Sequence, residues 1–218
     1  MTGTVGYIGL GAMGGAMAGR LADSDFDLQV FDLSADAVAG VVAKGAVAAE
    51  SGAALAASCE HISICVPADA AVMEVVTGEH GILDSCNPGT TIAVHSTVHP
   101  DTVRDLAALA AERDVALFDA GVAGGAAAAE EGALSIMVGV PNTGLTPTAR
   151  AVLDCCGGAV FEAGPVGAGM AMKVAFNVMT YFQQAALSAA HQIVVGEQSS
   201  PEMLLDAWRH VGQLGSLT

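Results

Sequence analysis

Short apolar runs alternate along most of this chain with longer stretches whose apolar residues recur every three or four positions. The short runs cover residues 4–8, 28–31, 62–66, 91–94, 115–118, 134–138 and 159–162. Each is flanked by Gly, Pro, Asp or Ser and is rich in Val, Ile, Leu or Phe, so each predicts a buried strand. The longer stretches include an Ala/Met-rich segment from Ala12 to Leu21 and a segment from Pro100 to Glu112, which predict helices. Strands alternating with helices imply a doubly wound, mostly parallel α/β sheet. At Gly164-Pro165-Val166-Gly167 the pattern changes to one long apolar helix over 168–195, and Ser200-Pro201-Glu202 reads as the start of another, through His210. Two regions follow, 1–164 and 165–218. In an open α/β sheet, ligands bind outside the carboxyl ends of the strands. Here those ends carry residues 9–14, Asp32, Val66-Pro67, Ser96-Thr97 and residues 119–125, which are expected to line one crevice.

The first of these ends is the most specific. Strand 4–8 runs into Gly9-Leu10-Gly11-Ala12-Met13-Gly14, then into a helix, then into a second strand that stops at Asp32. Strand, G-x-G-x-x-G, helix, strand and acid is the order of a dinucleotide-binding βαβ unit. Gly9 permits the tight turn, Gly11 admits the pyrophosphate to the backbone, and Gly14 lets the helix pack closely. The amides of Ala12, Met13 and Gly14 face the phosphates at the helix start. The Asp32 carboxylate suits the adenosine ribose hydroxyls and repels a 2′-phosphate. Leu33 and Ser34 supply no guanidinium, so NAD is expected over NADP. Val66, Pro67, Ser96 and Thr97 are expected along the nicotinamide side of the same cofactor, where Ser96 and Thr97 either bond the ribose or amide or simply cap the following helix.

Composition narrows the field. The 218 residues are 53% hydrophobic, with 23 acids against 7 bases and a formal net charge of −16. Such a field opposes nucleic acid and anionic membranes, and an anionic cofactor must be held by local donors. The five cysteines form neither a disulfide framework nor a metal-ligand spacing, and Cys155-Cys156 read as core residues. A reducing cytoplasm and no metal are expected. The N-terminus lacks the basic region of a signal peptide, and Lys173, Asn177, Gln183 and Gln184 interrupt the apolar stretch that might otherwise span a membrane.

Lys173 stands out within Gly169-Met170-Ala171-Met172-Lys173-Val174-Ala175-Phe176. A lysine among apolar residues is costly to bury without a role, and desolvation lowers its pKa toward the range of a proton-transfer group. The alternative is a lysine whose head snorkels to water. Asn177, four residues on, shares its helix face. Gly124-Gly125 precede an Ala-rich run and present either an anion-binding nest for a carboxylate or a flexible turn.

Together these segments resemble the β-hydroxyacid dehydrogenases, the group of 3-hydroxyisobutyrate dehydrogenase and tartronate semialdehyde reductase. The resemblance rests on four ordered motifs: residues 6–14 with Met17-Ala18; His95-Ser96-Thr97-Val98-His99-Pro100; residues 119–125 through Gly132; and Gly167-Ala168-Gly169 with Lys173 and Asn177. It implies a Rossmann-type domain followed by an all-α C-terminal domain, truncated here, since the family continues through more helices. It implies Lys173 as general acid/base with Asn177 beside the substrate, Ala123, Gly124 and Gly125 at the substrate carboxylate, and Thr97 near the nicotinamide. Three departures stand out. Ala123 replaces a usual serine, Gly121 a usual proline, and Phe176 a frequent asparagine. They suggest an altered substrate.

The resulting expectation is an NAD-dependent oxidoreductase that interconverts a small 3-hydroxy acid, like 3-hydroxyisobutyrate, with its semialdehyde. The alternatives are a tartronate- or succinic-semialdehyde-like reductase working mainly in reverse, and an inactive NAD-binding interaction protein. An imine reductase fits the retained lysine less well. The long helix is too apolar for one short helix to cover Met170, Val174, Val178, Tyr181 and Leu187, so a homodimer or higher homo-oligomer is expected.

Overall fold

A computed structural model describes residues 3–211. The chain runs β1 (Thr4–Ile8), α1 (Ala12–Ala22), β2 (Asp27–Phe31), α2 (Ala35–Val42), β3 (Val47–Ala48), α3 (Gly52–Ala56), β4 (His61–Ile64) and α4 (Asp69–Thr77). After a 3₁₀ turn it continues through β5 (Thr91–Val94), α5 (Pro100–Ala111), β6 (Ala116–Ala123), α6 (Gly125–Glu131), β7 (Leu134–Val140), α7 (Pro147–Cys156), β8 (Gly157–Pro165), α8 (Ala168–Gly196) and α9 (Pro201–His210). One eight-stranded sheet has the order β3-β2-β1-β4-β5-β6-β7-β8, and it is parallel except at β6–β7.

Side-chain alternation along the strands feeds two cores. Val5 and Tyr7 of β1, Phe118 and Ala120 of β6, and Val152 and Leu153 of α7 pack with Met17 and Leu21 of α1 on one face. Ile62 and Ile64 of β4 and Leu117 of β6 pack with Leu55, Val72, Val103 and Leu106 of α3, α4 and α5 on the other. Helices on both faces make the fold a doubly wound, Rossmann-type α/β domain, followed by a helical part.

Strand β6 changes partner midway. Ala116 to Asp119 pair in parallel with β5, whereas Ala120 to Ala123 pair antiparallel with β7. The connection over 124–133 is shorter than the dozen or so residues that a parallel crossover needs, so β7 returns antiparallel. Asp119, expected as a strand end facing the crevice, therefore sits in mid-strand and is fully buried. This corrects the reading of strand 115–118 as complete at Phe118.

A polar chain crosses the core from β4 and β5 to β6. His95 Nδ1 lies 2.9 Å from the Ala120 carbonyl oxygen, which can only accept, so Nδ1 carries the proton. The other ring nitrogen then accepts from Ser63 at 3.1 Å, Ser63 accepts from His61 at 3.3 Å, and His61 Nδ1 accepts from the Thr91 hydroxyl at 2.7 Å. Both rings are neutral and both are satisfied. Burial pulls the His61 pKa down to about 3, aided by His95, and that of His95 to about 4.

The described chain divides into two compact units, one running to Val174 and one from Ala175 onward. The sheet ends at Pro165, but the first unit continues because Gly169 and Met170 of α8 are buried against it. Met170 is thus covered, unlike Val174, Val178, Tyr181 and Leu187, which are exposed. Among the described residues no helix is long and apolar enough to cross a membrane. The five cysteines are free thiols; Cys156 is buried and Cys155 is half-buried against Ser24 and Arg20.

Candidate active site

The glycine loop between β1 and α1 is shaped by what its glycines exclude. Gly9 has φ of 91°, and a methyl there would meet the Cys65 carbonyl at 2.3 Å. A methyl on Gly14 would lie 1.9 Å from the Gly9 carbonyl oxygen, so α1 can approach the loop only without a side chain at that position. Gly11 differs: its Cβ position has no atom within 4 Å. Gly11 is the N-cap of α1 and bears no side-chain cap, and the first turn holds no acid. The amides of Ala12, Met13 and Gly14 are therefore first-turn donors without a side-chain cap, with a positive dipole end behind them, a donor set that fits a pyrophosphate.

Asp32 closes this unit from the end of β2. One carboxylate oxygen accepts from Leu10 N at 2.6 Å, and the other from Ser34 N at 2.7 Å. The carboxylate thus ties the glycine loop to the second strand while keeping a lone pair on each oxygen for a further donor. Leu33 beside it is 96% exposed.

The ends of β4 and β5 are tied to each other. Val66 N donates to Ser96 Oγ at 2.8 Å, and Ser96 is only 3% exposed, whereas Thr97 and Pro67 are exposed. Neither Ser96 nor Thr97 caps α5: its N-cap is His99, whose ring accepts from Asp101 N. Asp69 at the start of α4 accepts from His99 N at 2.8 Å and from Thr102 Oγ1 at 2.6 Å, which holds the Thr97 loop against α4.

Lys173 lies in the second turn of α8, within the first unit, over strand β6. Its Cβ and Cγ come so near Gly121 that a methyl on that glycine would meet them at 2.7 and 3.0 Å. Burial lowers the pKa of the Lys173 ammonium below the usual lysine range. Asn177 follows one turn later on the same helix, half-buried and in the second unit. At the end of β6, Ala123 is buried, while Gly124 and Gly125 are exposed with φ of 131° and 79°. Both conformations favour glycine.

Sequence reasoning placed Asp119 at a strand end and missed what it does. Its carboxylate accepts from Gly167 N at 2.7 Å and from Met170 N at 2.5 Å. It thereby supplies, from strand β6, the cap that Gly167 cannot supply to α8. The one available signal was an acid inside an otherwise apolar strand.

Residues 4–164 match the family described as the NAD binding domain of 6-phosphogluconate dehydrogenase. A probable mitochondrial 3-hydroxyisobutyrate dehydrogenase of Dictyostelium discoideum is 37% identical over 201 residues, covering 92% of this chain and 62% of that protein. The 3-hydroxyisobutyrate dehydrogenase of Pseudomonas aeruginosa is 33% identical over 205 residues, covering 94% of this chain and 68% of that one. Among solved structures, the Mycobacterium tuberculosis 3-hydroxyisobutyrate dehydrogenase with L-serine superposes with a TM-score of 0.87 at 29% identity, over 95% of this chain and 70% of that one. The chain thus spans less than two thirds of the first of these relatives. The match along residues 4–164, together with the relatives over nearly the whole chain, places this protein in the β-hydroxyacid dehydrogenase family.

Proposed function

We propose that this chain carries the cofactor and proton-transfer machinery of an NAD-dependent dehydrogenase for a small 3-hydroxy acid, of the 3-hydroxyisobutyrate type. The observation that carries the reading is Lys173, desolvated and laid over strand β6 just before the Ala123-Gly124-Gly125 segment. A bound nicotinamide dinucleotide supplies the two-electron redox chemistry. The amides of Ala12, Met13 and Gly14 hold its pyrophosphate, Asp32 accepts from its adenosine ribose, and Val66, Pro67 and Thr97 border its nicotinamide end. Ser96 supports that border through its bond to Val66.

Lys173 then handles one proton. With its amine neutral, Nζ accepts the substrate hydroxyl proton as the carbinol carbon is oxidised; in reverse, its ammonium donates that proton to the oxygen of a semialdehyde. Burial supports this role, because it holds the ammonium below the usual lysine range and so eases loss of its proton. Asn177 orients the same substrate oxygen from the next turn. Gly124 and Gly125 offer backbone donors to the carboxylate. Names of relatives widen the substrate class: an NAD-dependent L-serine dehydrogenase and a 2-(hydroxymethyl)glutarate dehydrogenase are 39% and 36% identical. Both substrates, like 3-hydroxyisobutyrate, pair a primary alcohol with a carboxylate.

Lys173→Ala tests the reading. Turnover of a 3-hydroxy acid should fall by ~10²–10⁴-fold, the range for a general acid/base, while NADH affinity stays near that of the unaltered protein. Turnover within threefold would remove the lysine from the mechanism. NADH binding with no turnover on any hydroxy acid or semialdehyde would favour a binding protein instead.

A further inference from the structure

Gly121 has no conformational need to be glycine. Its φ is not among the positive values found in this chain, and it lies inside an antiparallel ladder opposite Met137. Glycine in a strand interior weakens the strand and marks a site of close approach. What approaches here is Lys173: a methyl at position 121 would sit 2.7 Å from its Cβ, an atom that cannot move unless helix α8 moves. Two residues earlier on the same strand, Asp119 holds Gly167 N and Met170 N. Gly139, next to Asp119 across the sheet, leaves the carboxylate its space, since a methyl there would meet Asp119 Oδ1 at 2.1 Å. Strand β6 therefore touches α8 twice, at its first turn through a carboxylate and one turn later through a missing side chain.

We propose that Asp119 and Gly121 are positioning residues for Lys173: the carboxylate sets the start of α8, and the bare backbone at 121 receives the lysine stem, so that the ammonium stands at a set height above strand β6. This rests on Lys173 being the proton-transfer group. Neither residue touches the reacting atoms. Both act through the helix, and a displacement of about an ångström at a reacting group can cost on the order of a hundredfold in rate.

Two readouts test it. The chain's lysines are Lys44 and Lys173, so protein grown on [ε-¹³C]lysine reports Lys173 directly, with Lys44 as an internal control. Gly121→Ala should shift the Lys173 Cε signal and leave that of Lys44 in place. It should lower kcat about tenfold to a hundredfold with NADH affinity unchanged. In the Lys173→Ala background the same substitution should cost no further turnover, because its effect passes through the lysine. Asp119→Asn keeps one acceptor but turns an amino group toward an amide N–H. It should likewise shift the Lys173 signal, and if it fails to fold, Gly121→Ala still decides. An unmoved Lys173 signal in Gly121→Ala overturns the proposal whatever the activity. A moved signal with unchanged kcat, in a protein where Lys173→Ala is inactive, overturns the positioning role. Should Lys173→Ala itself keep full turnover, the proposed function fails, and the signal shift alone then reports whether strand β6 seats the lysine.

Discussion

In the proposed function, Asp32 serves local structure and recognition together. Its two oxygens already hold Leu10 N and Ser34 N, so its charge is fixed at the end of β2, where the proposed function puts the adenosine ribose. A 2′-phosphate placed there would meet that charge with no arginine nearby. NADH should therefore bind more tightly than NADPH in a fluorescence titration, and Asp32→Ala should weaken NADH and narrow the difference. Equal or tighter NADPH binding by the unaltered protein would refute the assignment. Ala123 permits a second test at this scale. Buried at the end of β6 beside Gly124, it offers no side-chain donor to a carboxylate. Ala123→Ser adds one, and a hydrogen bond to a charged group is worth ~1.5–3 kcal/mol, so KM for 3-hydroxyisobutyrate should fall by roughly tenfold or more. No improvement for any carboxylate would place the substrate's anionic group elsewhere.

At the scale of elements, the central strands are joined by a polar chain as well as by their ladders. Thr91, His61, Ser63, His95 and the Ala120 carbonyl form one directional series across β4, β5 and β6. Burial favours the neutral rings, in which each ring nitrogen without a proton accepts from a hydroxyl. In the unfolded chain these histidines titrate near 6.5; in the fold, burial holds them to about 3 and about 4. The unfolded state thus gains protons first on acidification. Their contribution to stability is complete above about pH 6.5 and is lost as pH falls toward 4, at up to about 1.4 kcal/mol per pH unit per histidine. Thermal unfolding followed by circular dichroism between pH 7 and 4 should show this fall, and His61→Gln, which cannot take the proton, should flatten it. An unfolding temperature that is level across that range would mean the rings are not held neutral.

For the whole molecule, the apolar surface of α8 bears on assembly. Phe182 is 75% exposed, Tyr181 65% and Val178 51%, well beyond the scattered apolar residues of an ordinary surface. A second copy of the chain is the proposed cover. Light scattering at micromolar concentration should give a dimer or larger species, and a monodisperse monomer would refute it. Phe182→Glu should shift the distribution toward monomer.

Much of this molecule could be read from the order of its residues. The strand at 91–94 and the helices that begin at Pro100, Ala168 and Pro201 follow from periodicity and from proline at the first helical turn. So does the glycine loop with its acid, because strand, turn and helix there lie within one βαβ unit and Gly9 and Gly14 answer local needs. Lys173 could be singled out from the cost of placing a charge among apolar neighbours. Other features needed the tertiary structure. The reversal at β7 depends on how far residues 124–133 can reach. Asp119 lies 48 residues from Gly167, whose amide it holds, and no period in the sequence links the two. Gly121 is indistinguishable in sequence from a glycine that merely turns, and only the lysine stem lying against it shows why a side chain is absent. The two histidines, scattered in the sequence, become one chain only when β4 and β5 pair in register. Local preferences are set by neighbours along the backbone, whereas close approach and burial are set by whichever segment the fold brings across.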